Sequence, residues 1–196
     1  MAVSYTHLDV YKRQSLITAL SLRTISRYGV EVSELHNDST SLTLYGNYRR
    51  ANSLPKEGVR PPRPARGHSK DHRGDLKQLV EILTISADGA VPLTYRLVDG
   101  NTEDSTTHIA TWDELVAMLG TAGFTYVADC KLATRDNMDH IAKNHGRFLT
   151  ILPKTRKEDE AGRAWIATGA PSWVEISRSP GKRKHDPCLL YTSRCV

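Results

Sequence analysis

Two apolar segments on either side of the tetrapeptide Ala87-Asp88-Gly89-Ala90 constrain the fold more than any other feature of the sequence. The segments are Lys77–Ser86 and Val91–Val98, and both are rich in the branched and aromatic residues that favour strands. An Asp-Gly pair between two such segments is typical of a tight β-hairpin. We therefore predict an antiparallel pair of strands here, to which the other strands of a sheet must be added.

The remaining elements are predicted from the spacing of apolar residues. Alternation predicts a second hairpin, with strands Val30–Leu35 and Ser41–Tyr45 and with Asp38 near the end of the first strand. The other predicted elements are two strands, Phe124–Ala128 and Arg147–Leu152, and three helices, Ser15–Tyr28, Ser105–Leu119 and one from an N-cap at Thr134 to about His145. An antiparallel meander followed by strand–helix–strand units predicts an α/β fold, in which a mixed sheet is flanked by helices.

The two ends of the chain are predicted to be foreign to the protein. Ser4–Gln14 and Cys188–Ser193 are translations of one DNA sequence in opposite orientations, and that sequence resembles an adapter used to prepare sequencing libraries. The alternative is that both encode inverted repeats of the gene's own DNA. On the first interpretation residues 1–14 and 188–196 are adapter-derived and do not contribute to the fold prediction.

Composition excludes several classes of protein. The two ends hold three basic residues and one acidic residue, so without them 27 basic and 22 acidic residues become 24 and 21, and the net charge falls from +5 to +3. Cys130 is the one cysteine outside the ends, so a disulfide framework or a cysteine-based zinc site is excluded and a cytoplasmic location is expected. No apolar run is long enough for a membrane helix, so no membrane partner is expected.

Residues 49–73 form a segment of a different kind. Eight lysines and arginines stand against two acids, and prolines are frequent, so we predict an extended basic loop that is too polar to pack. Such charge is usually solvated surface, and the alternative is contact with phosphate, which the arginine fork suits. The residues expected to make that contact are Arg49, Arg50, Arg63, Arg66, His68, Lys70, His72 and Arg73. His68 and His72 also have the spacing of helix-borne metal ligands, but the glycines on either side of them disfavour a helix.

Two aspartates are each predicted to lie at the end of a strand. Asp38 follows the first strand and Asp129 follows Phe124–Ala128, and ligands bind at such strand ends in open α/β sheets. Two carboxylates that converge there suit Mg²⁺, which prefers oxygen ligands and keeps waters and phosphates in its shell. The alternative is that each aspartate only caps a turn or a helix, and spacing alone does not decide between the two.

Four ordered motifs resemble those of insertion-sequence DDE transposases. They are Leu35–Tyr48 (LHNDSTSLTLYGNY), Gly67–Leu79 (GHSKDHRGDLKQL), Ala87–Ser105 (ADGAVPLTYRLVDGNTEDS) and Tyr126–Thr134 (YVADCKLAT). The resemblance implies an RNase H-like catalytic core that a β-rich insertion interrupts. It implies that Asp38 and Asp129 are the first two of three acids that bind two Mg²⁺ ions, or Mn²⁺ in their place. It also implies cleavage at transposon ends, strand transfer into target DNA, and a full-length parent that acts as a homodimer on DNA.

The third acid of that family is a glutamate on a helix beyond the insertion, and the chain is expected to stop before it. Residues 15–29 would be a helix from an upstream domain or linker, residues 30–155 a partial RNase H-like core, and residues 156–187 the start of the insertion. The isolated fragment is then expected to be inactive. The candidates for a third acid within the chain are Glu158 and Glu160, which stand where a helix is expected to begin.

Three further interpretations stay open. Gly100–Asp104 matches a Gly-Asn-x-x-Asp pattern that precedes the second acid in many relatives, and we predict that Asp104 or Ser105 caps the next helix. A non-catalytic nucleic-acid-binding module would use the basic loop and leave both aspartates as caps. An unrelated RNase H-like nuclease would carry its third acid within this chain.

Overall fold

The computed structural model describes residues 10–48, 61–169, 173–179 and 189–194. The chain divides into two compact units, Met1–Ile151 and Leu152–Val196. The predicted division into an upstream helix, a partial core and the start of an insertion stays a prediction.

The first unit is built on a mixed five-stranded sheet. Its strands are β1 Glu34–Leu44, β2 Lys77–Ser86, β3 Pro92–Asp99, β4 Thr125–Val127 and β5 Arg147–Leu149. The order across the sheet is β3-β2-β1-β4-β5. β1, β2 and β3 are antiparallel neighbours, whereas β4 runs parallel to β1 and β5 parallel to β4. This order and these directions are those of an RNase H-like core, so the predicted fold class is confirmed.

Three helices pack against the sheet through one hydrophobic core. They are α1 Val10–Tyr28, α2 His108–Leu119 and α3 Arg135–Lys143, and a 3-10 turn, Asp104–Thr106, precedes α2. The core contains side chains from strands and helices alike, among them Leu35, Leu93, Trp112, Leu115, Phe124, Tyr126 and Ile141. Because these side chains occupy one face of the strands, the alternate residues of each strand lie on the opposite face.

β1 is a single strand where the sequence predicted a hairpin, and that prediction is wrong. The polar run Asn37-Asp38-Ser39 lies within the strand, because β2 pairs with β1 without a break from Leu35 to Leu44. Asn37 and Ser39 are buried. The side-chain amide of Asn37 donates to the Leu83 carbonyl at 3.1 Å and to the Thr84 hydroxyl at 3.0 Å. Hydrogen bonds within the sheet thus satisfy residues that would otherwise favour a turn.

The predicted hairpin at Asp88-Gly89 and the predicted cap at Thr134 are confirmed. The hairpin between β2 and β3 turns at Gly89 and Ala90, which have φ of +68° and +50°. Thr134 caps α3, because its hydroxyl accepts a hydrogen bond from the Asn137 amide at 3.3 Å. His145, with φ of +61°, is the left-handed residue that ends α3, whereas Gly146 was predicted to end the helix.

Residues 61–73 pack against the sheet, so the prediction of a loop too polar to pack is wrong for this part. Ala65 and Gln78 exchange two backbone hydrogen bonds of 3.1 and 2.9 Å, and the Gly100 amide donates to the Arg63 carbonyl at 3.1 Å. The approach is close because Gly67 meets Gly100, where a side chain on either residue would overlap backbone of the other segment. Residues 49–60 of the predicted loop lie outside the described residues.

The described residues of the second unit form one helix and a two-stranded sheet. The helix is α4 Lys157–Ala167, and the antiparallel strands are β6 Trp173–Ser179 and β7 Leu189–Arg194. α4 begins at the acidic run where the sequence predicted a helix. β7 lies within the predicted adapter-derived residues, as does the start of α1 at Val10. Every helix that the described residues form is too short or too polar to cross a lipid bilayer.

Candidate functional site

Asp38 lies in the middle of β1 on the face opposite the hydrophobic core. Its side chain is 80% exposed, and its Oδ1 atom accepts a hydrogen bond from the Ser39 backbone amide at 2.8 Å. The neighbouring strand β4 pairs with β1 only from Glu34 to His36. β1 therefore continues beyond the end of β4. Asp38 lies just past the last pair, where β1 has no neighbouring strand on the side of β4. The prediction that Asp38 follows a strand is wrong, but the carboxylate does lie at a strand end, that of β4.

Asp129 lies two residues after the end of β4, one residue further from its strand than predicted. Its Oδ1 accepts from the Lys131 amide at 2.9 Å, and its carbonyl accepts from the Thr150 hydroxyl at 2.6 Å. The last residue pair between β1 and β4 is His36 with Val127. Two residues further along each segment are Asp38 and Asp129, so the register of the parallel strands brings the two carboxylates to the same level of the sheet.

The two aspartates line one cleft of about 540 Å³. The other residues of the cleft are His36, Asn37, Lys70, Leu83, Ile85, Val127 and Ala128. Leu83, Ile85, Val127 and Ala128 form the apolar part of the wall, and Asp38, Asp129 and Lys70 carry its fixed charges. The two aspartates therefore line one space, and their convergence on a shared metal stays a prediction.

Lys70 enters the cleft from a turn that is attached to β1 at several points. The Lys70 amide donates to the Ser41 hydroxyl at 3.1 Å, and the Thr43 hydroxyl donates to Asp71 at 2.9 Å. At the tip, the Lys70 ammonium donates to Asp38 Oδ1 at 3.3 Å and also to the Ser39 carbonyl. The turn lies along the free edge of β1 that the short β4 leaves unpaired.

A second, smaller cavity of about 80 Å³ lies on the other side of Lys70. It is lined by the acids Glu103 and Asp104 and by the cations Lys70 and Lys131, with His68 beside them. Asp104 begins the 3-10 turn, and neither that turn nor α2 has a side-chain cap at its N-terminus. The prediction that Asp104 or Ser105 caps the helix is therefore wrong. Ser105 instead donates its hydroxyl to Glu103 at 2.8 Å.

His108 is a residue near the site that sequence reasoning missed. It is buried at the start of α2, and its Nδ1 lies 3.2 Å from the Tyr126 hydroxyl. Burial lowers its pKa below the usual value for histidine, and the charges of Asp129 and Asp104 oppose that shift. Its Nε2 has no hydrogen-bond partner among the described residues. A histidine at the start of an apolar helix face gives no sequence signal that separates it from core packing.

The remaining predicted DNA contacts that the structure describes are all exposed, and two of them pair with an acidic side chain. Arg73 forms a two-bond pair with Asp75, and the Arg73 guanidinium lowers the pKa of that carboxyl to about 2. Arg63 lies against Asp99, with 4.0 Å between Nε and the carboxylate. Arg66, His68 and His72 are exposed, and His72 has φ of +57°. Arg49 and Arg50 lie outside the described residues.

The two candidates for a third acid lie in the first turn of α4, in the second unit. Glu158 pairs with Arg156 at 2.9 Å, and Glu160 is exposed. Within the described residues, no group of three or more histidine, cysteine, aspartate or glutamate side chains is placed to share a metal ion. The assignment of a third acid to Glu158 or Glu160 stays a prediction.

No protein-family model matches the chain, and no curated protein sequence matches it significantly. Solved structures do resemble it. The Mos1 mariner paired-end complex with Mn is 13% identical, with a TM-score of 0.38 over 86% of this chain and 58% of the other. The catalytic domain of Mos1 mariner transposase is 10% identical, with a TM-score of 0.36 over 86% and 75%. The piggyBac transposase synaptic complex is 10% identical, with a TM-score of 0.44 over 76% and 31%.

These similar structures are of transposases. The chain spans 52–59% of the length of the Mos1 chains in three of them. At such identities and TM-scores the similarity adds nothing on activity, which has to be argued from the residues of this chain.

The donor atoms of the cleft fit part of the shell of a hard divalent cation. Asp38 and Asp129 each hold Oδ1 against a backbone amide, and the described residues offer no hydrogen bond to either Oδ2. Each carboxylate is thus oriented through one oxygen and keeps the other for a ligand. Carboxylate oxygens suit Mg²⁺ or Mn²⁺, which complete their shells with waters and substrate phosphates.

Proposed function

We propose that the chain is part of the catalytic core of an insertion-sequence DDE transposase, which cleaves and joins DNA phosphodiesters with Asp38 and Asp129 as metal ligands. The observation that carries the proposal is the shared cleft, in which two aspartates from separate motifs line one space. The four ordered motifs of the sequence support it independently of the geometry. Mg²⁺, with Mn²⁺ as a substitute, is the proposed cofactor.

The chemistry assigns a separate task to each part of the cleft. When bound, divalent ions would activate the attacking oxygen and stabilise the leaving oxygen of a phosphodiester. Asp38 and Asp129 would fix the position of those ions, because the amides of Ser39 and Lys131 hold their carboxylates in place.

DNA is the proposed partner, and the exposed cations near the cleft are the proposed contacts. Arg63 and Arg73 are each held by an acidic neighbour, so we expect them to contribute less to phosphate binding than Arg66 does. In fluorescence anisotropy with a short duplex, Arg66→Ala should weaken binding and reduce the salt slope by about 1. Arg63→Ala is the matched control and should change both quantities less. An equal loss in both variants would contradict this assignment.

Metal binding tests the function directly. Mn²⁺ titration followed by electron paramagnetic resonance should give weak binding by the chain, which Asp38→Asn and Asp129→Asn each weaken further. Loss of a residue that only orients a ligand costs about 10- to 100-fold in metal affinity, so loss of a ligand should cost at least as much. Asp139→Asn, on the exposed side of α3, is the matched control and should bind Mn²⁺ like the unmodified chain.

Two outcomes separate this proposal from its alternatives. Binding of Mn²⁺ that survives both aspartate substitutions would rule out the cleft as the metal site. If DNA binding persisted while no specific Mn²⁺ binding was found, the non-catalytic nucleic-acid-binding module would be the better description. The shared cleft favours the catalytic function, because a module that only binds DNA does not need two acids at one place.

A further inference from the structure

Among the residues that the structure describes, Lys70 alone lines both cavities of the site. On one side its ammonium contacts Asp38, and on the other side lie Glu103, Asp104 and Lys131. We propose that the Lys70 ammonium is the counter-ion of Asp38 until DNA binds. The ammonium then leaves the carboxylate for a DNA phosphate, and this exchange couples DNA binding to metal binding. The inference rests on the proposed function, since it takes Asp38 as a metal ligand.

The geometry places the ammonium in competition with any cation at Asp38. Lys70 Nζ lies 3.3 Å from Asp38 Oδ1, on the atom that the Ser39 amide also contacts. A divalent cation at this carboxylate would bring a second positive charge within a few ångströms of the ammonium. The two charges repel each other, so each weakens the binding of the other at Asp38.

The ammonium can leave Asp38 without unfolding the turn, and in doing so it also gives up its hydrogen bond to the Ser39 carbonyl. The turn is held by contacts that do not involve the end of the Lys70 side chain: the Lys70 amide with Ser41, and Asp71 with Thr43. The Lys70 side chain is 41% exposed, so a flexible four-carbon stem can carry the charge from the carboxylate into solvent or to a bound anion. Phosphate is the anion that the proposed substrate supplies at this place.

The exchange predicts positive coupling between DNA and metal. DNA that engages the ammonium frees Asp38 for the metal, and metal at Asp38 frees the ammonium for DNA. By linkage, the factor by which DNA tightens metal binding equals the factor by which metal tightens DNA binding. The ion pair is exposed, and such pairs are worth little, so the part of this factor that depends on Lys70 should be about two- to fivefold.

The test is an Mn²⁺ titration of the chain and of Lys70→Met, each with and without an excess of short duplex DNA. Without DNA, Lys70→Met should bind Mn²⁺ about two- to fivefold more tightly than the unmodified chain. DNA phosphates attract Mn²⁺ in both proteins, so the diagnostic quantity is the ratio of affinities with and without DNA. That ratio should be smaller in Lys70→Met by the same factor, and Lys70→Arg, which keeps the charge, should restore it.

Control variants make each outcome decisive. Lys143→Met removes an exposed lysine on α3 that pairs with Asp139, and it should leave both Mn²⁺ affinities unchanged. Unchanged or weaker Mn²⁺ binding by Lys70→Met in the absence of DNA would overturn the inference. So would a ratio of Mn²⁺ affinities with and without DNA that is the same in Lys70→Met as in the unmodified chain. If Asp38→Asn weakens Mn²⁺ binding while Lys70→Met does nothing, only this inference fails. If Asp38→Asn also has no effect, the proposed function fails with it.

Discussion

Replacement of Gly100 by alanine should destabilise the first unit strongly, because two backbone segments approach each other at this residue. A Cβ atom on Gly100 would overlap the Gln78 carbonyl oxygen and lie 2.6 Å from the Ala65 carbonyl oxygen. Neither atom belongs to a flexible side chain that could turn away. The methyl group can be accommodated only if Gly100 moves away from the start of β2 and from the segment that contains Ala65.

The magnitude follows from the hydrogen bonds at the crossing. Ala65 and Gln78 share two backbone bonds, the Gly100 amide donates to Arg63, and the Gln78 side-chain amide donates to the Gly100 carbonyl at 2.8 Å. Each bond contributes a net of about 0.5–1.5 kcal/mol. Loss of two to four of them lowers the free energy of unfolding by roughly 2–4 kcal/mol, with the larger value expected because Gln78 is buried.

Urea denaturation followed by circular dichroism would measure this loss. Gly74→Ala is the matched control in the same segment, because no atom lies within 4 Å of its added methyl group. We expect that variant to change the free energy of unfolding by less than about 0.5 kcal/mol. Gly67→Ala should resemble Gly100→Ala, and the double variant should cost less than the sum, since both open the same crossing. A Gly100→Ala variant that unfolds at the midpoint of the unmodified chain would refute the close approach.

Three further predictions concern stability in the first unit. Thr134→Ala should lower the free energy of unfolding by about 1 kcal/mol through loss of the α3 cap, whereas Thr134→Ser should keep most of it in the same denaturation assay. His145→Gly should raise the free energy of unfolding by up to about 1 kcal/mol, because His145 has positive φ. Gly146→Ala should lower it by about 1–3 kcal/mol, because the added Cβ would lie 2.6 Å from the Trp112 ring. Thermal melts in which both variants shift in the same direction would contradict this pair of predictions. Burial lowers the folded-state pKa of His108, so the unfolded chain takes up a proton there first, and stability should fall as pH drops below 6.5; His108→Phe should remove that part of the pH dependence in melts at several pH values.

Local signals in the sequence were sufficient for the elements that depend on neighbouring residues. The Asp88-Gly89 hairpin and the Thr134 cap are stabilised within a few residues, so their patterns identify them. The run Asn37-Asp38-Ser39 has the composition of a turn, and it is a strand because β2, some 45 residues away, pairs with it. Tertiary pairing of this kind overrides local preference, and no local pattern reports it.

The site was predictable to a similar degree. Asp38 and Asp129 could be brought together from the rule that ligands bind at strand ends, although the strand that ends at the site is β4 for both residues. The role of Lys70 could not be found in this way. Its contact with Asp38 depends on the path of residues 61–73, which pack through Gly67 and Gly100 in a crossing between distant segments.

The parallel register of β1 and β4 limits which sequence changes can keep Asp38 and Asp129 at the same level of the sheet. Side chains alternate between the faces of a strand, so one residue inserted between Tyr126 and Asp129 would carry the carboxylate to the other face or past its partner. Substitutions that preserve the spacing leave the two acids at the same level of the sheet. We therefore expect relatives to tolerate substitutions next to the two acids better than insertions or deletions between Tyr126 and Asp129.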